Sequence, residues 1–195
     1  MIRFLTHILD IKNLLGMQRV VPPTPYPANE IVLRTNGNTV TFTPVFTGSI
    51  TVRYRYNGTN TEVTYGNVWS GQQMSSYSDY GTDFIIIGNV TQIEINSGDV
   101  EFVAINNTVG SIDDLDAQVR TLDLRNATGL SGMSMHAFGI TELYALATTV
   151  NNSNLSAMII YNSPDGGTLW IDQTQAYAAT VVSMAEAHNW TIYDL

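Results

Sequence analysis

The residues that could carry chemistry in this chain are few. Glu62, Glu94, Glu101 and Glu142 fall on segments with strand patterning, and two carboxylates facing each other across a cleft can cleave a glycosidic bond. That reaction is set by separation in space, so it stays a remote reading of these four glutamates. Asp113, Asp114 and Asp116 form the densest acidic cluster, but Leu115 interrupts it and the glycine and distal glutamate of a calcium loop are missing. A solvated helical turn with Ser111 as N-cap explains that cluster better. His7, His136 and His188 have no second ligand at metal-binding spacing. Ser163-Pro-Asp-Gly-Gly167 offers Gly-rich backbone without the lysine of a phosphate loop and reads as a turn. With 0 cysteines the chain has no thiol nucleophile, disulfide or thiolate zinc site. No catalytic residue, metal ligand or cofactor is assigned, and the chain is read as not an enzyme. Trp69, Tyr77 and Tyr80 could stack against a ligand ring, with ordinary loop packing as the competing explanation.

Patterning of period two positions these residues. Val40 and Phe42 alternate with threonines, and Ile50, Val52, Tyr54 and Tyr56 alternate with Thr51, Arg53 and Arg55. This describes half-buried antiparallel strands. Asn57-Gly58 reaches positive φ readily and predicts a hairpin into Thr61–Tyr65. Ile31, Leu33, Val40, Phe42, Ile50, Val52, Tyr54 and Val63 make the expected core of an antiparallel β domain over 30–87. Gly66 to Asp83, dominated by Ser, Tyr, Gly and Gln, reads as a long contact loop. Arg53 and Arg55 share the outer face and read as solvated.

At the start of the chain, Phe4, Leu5, Ile8, Leu9, Ile11 and Leu15 recur at three- and four-residue steps, the stripe of an amphipathic helix over 1–19. Such a stripe requires a cover, so these six residues are the expected anchor or assembly residues. No apolar run is long enough to span a membrane. Residues 20–29 carry four prolines within six positions and read as an extended, semi-rigid spacer. The helix docks either on its own body or on another chain.

The balance of 8 basic against 17 acidic residues, formally −9, opposes binding to nucleic acid. In the back half one apolar pattern returns at Val90–Ile95, Val100–Ile105, Val119–Leu124, Ile140–Ala145 and Leu155–Ile160. Steps of 10, 19, 21 and 15 separate the starts. Stacked coils share one core and leave long faces free for contact. Steps near 20 suit a leucine-rich-repeat coil, and Leu122, Leu124 and Asn126 fit its slots best. Residues 172–189 carry Tyr177, Val181, Met184, Ala185 and His188 on one face of a second helix, capped by Asp172 or Thr174. Trp190–Leu195 returns as a strand and closes the coil. The expected fold is therefore mainly β: an N-terminal helix, a small antiparallel domain, and a leucine-rich-repeat-like domain over 88–195.

Thr121-Leu-Asp-Leu-Arg-Asn-Ala-Thr-Gly-Leu130, Gly167-Thr-Leu-Trp-Ile-Asp172 and Asn189-Trp-Thr-Ile-Tyr-Asp-Leu195 resemble the irregular leucine-rich-repeat-like proteins of gut Bacteroidetes and their phages. The helix and Pro-rich spacer also look like the anchor of a head fibre or decoration protein of crAss-like phages. The resemblance implies a non-enzymatic virion structural protein (head fibre, decoration or minor capsid component). Its implied partners are the major capsid protein, other virion proteins, or sister copies in a homo-oligomer such as a trimer. The alternative is a bacterial cell-surface or secreted adhesion module that binds protein or glycan.

Overall fold

A computed structural model describes residues 22–35, 39–96, 100–115, 119–134, 139–145 and 159–195. Over these residues the protein is mainly β, 51% strand and 11% helix, with its strands in one mixed sheet. The expected N-terminal helix, its six anchor residues, His7, His136, Asp116 and positions 155–158 of the last expected strand lie outside the described residues.

The front half is antiparallel. Strands β1 (Glu30–Thr35), β2 (Thr39–Tyr56), β3 (Thr59–Gly66), β4 (Met74–Tyr77) and β5 (Asp83–Ile95) are joined by pairings β1–β5, β5–β2, β2–β3 and β2–β4. Asn57 (φ 50°) and Gly58 (φ 75°) close the β2–β3 hairpin, the two positive φ values that a two-residue turn between twisted strands requires. The Asp79 carboxylate accepts the backbone N–H groups of both. Ile31, Leu33, Val40, Phe42, Ile50 and Val52 are fully buried, as their alternation implies. Tyr54 is only partly covered, and Val63 is half-exposed because β3 is the outermost strand.

Two expectations fail here. The segment 66–83 is not one long loop: β4 pairs with β2 and buries Met74, after a 3-10 turn over Asn67–Trp69. The boundary expected between residues 87 and 88 falls inside β5, so both expected domains share a strand and one core. Gly88 (φ 142°) sits at that point, where a Cβ would stand 2.8 Å from the Ser49 carbonyl oxygen. The glycine lets β5 bend past the β2 bulge between Thr47 and Ile50.

The back half is parallel. Strands β6 (Val100–Ala104), β8 (Thr121–Asp123), β10 (Glu142–Tyr144), β11 (Thr168–Ile171) and β12 (Thr191–Asp194) form a ladder that joins β1 through β6. Val103, Leu122, Leu143, Leu169 and Ile192 share one register row. The first four are fully buried, whereas Ile192, on the last strand, is partly covered. Strands β7 (Ser111–Leu115) and β9 (Gly132–Met133) stack in parallel on the far half of β5, with Ile93, Ile112 and Met133 in register. From β6 to β10 the chain alternates between the two stacks.

Three repeat-level expectations are corrected. Ser111–Asp114 is strand, not a helical turn, because a bulge at Asp113, opposite Ile93 and Glu94, lets both Ile112 and Leu115 face the core. The hydroxyl of Ser111 bonds the Asp113 carboxylate instead of capping a helix. Residues 159 and 160, expected in the last repeat strand, belong to a helical turn over 159–161, and the next ladder strand is β11. The segments at 90 and 100 are not neighbouring coils, since β5 and β6 flank β1 from opposite sides. The terminal helix α1 spans Ala178–Ala187, later than expected, and has no side-chain cap. Asp172 instead accepts the N–H and hydroxyl of Thr174 in a preceding turn. Those two bonds hold its carboxyl below the usual range. Tyr177, Val181 and Ala185 are buried, as the helical pattern implies.

Candidate functional site

Because side chains alternate along a strand, a buried Leu122 or Leu143 aims its neighbours outward. On this outer face one register row runs the width of the sheet: Glu62, Arg53, Ile85, Val32, Ala104, Asp123, Tyr144, Trp170 and Tyr193. Across the ladder the row becomes a stack. The Arg125 guanidinium lies 4.4 Å from the Tyr144 ring centroid, Tyr144 stacks on Trp170 at 5.8 Å and 8°, and Trp170 stacks on Tyr193 at 4.6 Å and 25°. In-register parallel strands produce this, since equivalent side chains repeat at the strand spacing of about 4.8 Å.

Polar groups lock the stack. Arg125 pairs with Asp123 at 2.6 Å, their side chains only 9% and 5% exposed, and it also donates to the Pro23 carbonyl at 2.6 Å. Glu142 accepts hydrogen bonds from Tyr144 Oη (2.9 Å), Trp170 Nε1 (3.4 Å) and Thr121 Oγ1 (3.3 Å). Burial and the Glu142 carboxylate push the Tyr144 phenol well above its ordinary range.

Residues 22–27, the described part of the Pro-rich segment before its turn, form neither helix nor strand. They are also fastened to the body. Besides the Pro23 bond, Asn126 Nδ2 donates to the Tyr26 carbonyl (2.7 Å), Arg34 Nη2 donates to the Tyr26 hydroxyl (2.7 Å), and Asn107 N–H donates to the Ala28 carbonyl (3.1 Å). Asn126, placed in a repeat slot by its sequence position, therefore bonds this strap.

Between the strap and the N-terminal ends of β6, β8 and β10 lies an open cleft of about 530 Å³. Phe102, Thr121 and Glu142 form its floor, Glu101, Arg120 and Thr141 its rim, and Pro23, Thr24 and Tyr26 its strap wall. Arg34 enters from β1, held by Asp83 at 2.9 Å with its guanidinium 5.1 Å from the Phe102 ring centroid. The Tyr26 ring meets Phe102 at 5.5 Å. Burial and the Asp83 charge raise the Tyr26 phenol.

Two of the three expected stacking residues pack on neighbouring tyrosines. Trp69 contacts Tyr65 and Tyr77 contacts Tyr56, and among the described residues no ring contact joins Trp69, Tyr77 and Tyr80. Tyr80 is 71% exposed. Of the four strand glutamates, Glu101 and Glu142 meet at the cleft, while Glu62 pairs with Arg53 at the sheet edge. Asp113 accepts from Gln92 and Ser111, and His188 pairs with Asp165. Gly167 serves packing, since a Cβ there would lie 2.7 Å from the Trp190 ring. Arg120, Arg125 and Tyr144 escaped the sequence reading. Their signal was position, in or beside the outward slots around each Leu-x-Leu. Comparisons with protein-family models, curated proteins and solved structures each return no match to this chain.

Proposed function

We propose that this chain is a non-enzymatic structural protein of a phage virion, a head fibre, decoration or minor capsid component. Its N-terminal segment anchors it and its β body projects outward. The observation that supports the reading is the fastened strap: bonds at Pro23, Tyr26 and Ala28 tie the segment that follows the anchor stripe to the ladder. An anchor at residues 1–19 would therefore hold the β body close to whatever it grips. The parallel strands at spacings of 19, 21, 26 and 23 residues support a leucine-rich-repeat-like coil for residues 100–195. Glu142 accepts three hydrogen bonds within the stack, a wall-building role.

The apolar stripe Phe4, Leu5, Ile8, Leu9, Ile11 and Leu15 supplies affinity, since each large side chain buried contributes about 1.5–3 kcal/mol. In the absence of other virion proteins, sister copies cover it. Mass spectrometry of particles purified on a density gradient from the producing culture tests the assignment. Peptides of this chain in the particle fraction are the expected result. Recovery only from the cell envelope or culture supernatant sinks the virion reading and favours the adhesion alternative, which the open cleft supports.

A further inference from the structure

We infer that the cleft beneath the strap binds a carboxylate-bearing sugar of an acidic glycan, with Arg120 meeting the carboxylate. The argument begins with charge. In a chain of net charge −9, three of the five arginines among the described residues, Arg34, Arg120 and Arg125, line this one cleft. Glu101, Asp123 and Glu142 line the cleft beside them and Asp83 pairs with Arg34, so the local sum is −1 against −9 for the whole chain. An anion approaching this face therefore meets less repulsion than the rest of the molecule exerts.

Hydrogen-bond capacity sharpens the point. Asp123 accepts from the Arg125 backbone and guanidinium, Glu142 from three donors, and Asp83 from Arg34 and Tyr26. These three carboxylates are engaged by the wall, and Glu101 on the rim is the fourth acidic group at the cleft. Arg120 is exposed and makes no side-chain hydrogen bond or ion pair among the described residues. Its five N–H donors form a fork that matches a carboxylate. Arg34 and Arg125, which line the same cleft, are pinned by their own aspartates.

The remaining lining selects a sugar over a peptide. The exposed hydroxyls of Thr24 and Thr141 and the carboxylate of Glu101 offer partners for ring hydroxyls, while Pro23 and the edge of Phe102 offer apolar contact. A pyranose presents both kinds of surface around its edge. The ring faces of Tyr144 are taken by Arg125 and Trp170, so recognition runs through hydrogen bonds and edges rather than through flat stacking. The volume lies within the range of small-ligand sites, about 300–1,000 Å³.

Calorimetric titration of the full chain at low salt tests this. The probes are tetramers of galacturonate, glucuronate, mannuronate and sialic acid, the carboxyl-reduced galacturonate tetramer, and a hexaglutamate peptide. The expected result is binding of at least one acidic tetramer, about tenfold weaker or worse in Arg120→Gln and weaker at 0.5 M than at 0.05 M salt on the order of the screening change. Arg120→Lys, which keeps the charge and loses the fork, should fall between, and Arg53→Gln should bind like the parent. The carboxyl-reduced tetramer should bind more weakly than any acidic tetramer that binds. Binding of none of the four acidic tetramers overturns the inference. So does undiminished binding in Arg120→Gln, equal affinity for the reduced tetramer, or hexaglutamate binding as tightly as the sugars. The inference does not rest on the virion assignment: a negative titration leaves the particle composition untouched, and the converse holds.

Discussion

Two ion pairs on the outer register row, one at its antiparallel end and one on the parallel ladder, start from similar chemistry and reach different states. At the antiparallel end Arg53 meets Glu62 at 2.6 Å with both side chains more than half exposed. On the parallel ladder Arg125 meets Asp123 at the same distance with both almost wholly covered. The distance is equal, but the surroundings differ. Water screens the first pair, whereas the second is covered and has Tyr144 over its guanidinium. Parallel register creates that difference, because it repeats the same slot at every strand and lets side chains stack into a wall. Antiparallel hairpins at the sheet edge leave each pair to itself.

The comparison breaks most directly at the two arginines. Arg125→Ala leaves a buried aspartate without its charge partner and should cost about 3–5 kcal/mol, while Arg53→Ala should cost no more than about 1 kcal/mol. Urea unfolding of both variants reads this, and equal losses would erase the distinction. A smaller contrast sits in the core rows. Leu143→Ala, in the middle of the ladder, should cost about 2–5 kcal/mol, and Val63→Ala, half-exposed on the outermost antiparallel strand, should stay below about 1.5 kcal/mol. The subtlest contrast is in pH. Tyr144 titrates above its ordinary value, chiefly through burial and then through Glu142, and Tyr177 is pushed up to about 12, first by burial. For a group raised on folding, the stabilisation is complete below the unfolded value, about 10 for tyrosine, and is lost as pH rises toward the folded value. Stability should therefore be flat in this respect up to about pH 10 and fall above it. Tyr144→Phe should flatten part of that fall in a series of urea midpoints from neutral to strongly alkaline pH.

Much of the fold is legible in local chemistry. Asn57-Gly58 announces its hairpin because only a few residue types tolerate two consecutive positive φ values, and Leu122 shows its strand because alternation reports burial directly. The missed features depend on partners distant in sequence. Ser111–Leu115 hides as a strand because its own bulge at Asp113 puts two inward residues three apart, a helix-like spacing. The stack is harder to see. Tyr144, Trp170 and Tyr193 stand 26 and 23 residues apart, matching none of the irregular repeat steps of 10, 19, 21 and 15, and nothing local marks them as neighbours. The strap is legible as a Pro-rich segment, yet its attachment needs Arg125 and Asn126, about a hundred residues further on. Of the cleft, Glu101 and Glu142 are visible as strand carboxylates. Arg120 becomes meaningful only when the bonding of its neighbours is known.

Light scattering of the full chain beside the full-length variant Leu5→Ser, Ile8→Ser, Leu9→Ser tests the anchoring claim most directly. The account predicts a defined oligomer for the parent and a folded monomer, with an unchanged circular dichroism spectrum, for the variant. A monomeric parent, or a variant that keeps the parent's mass, would contradict it.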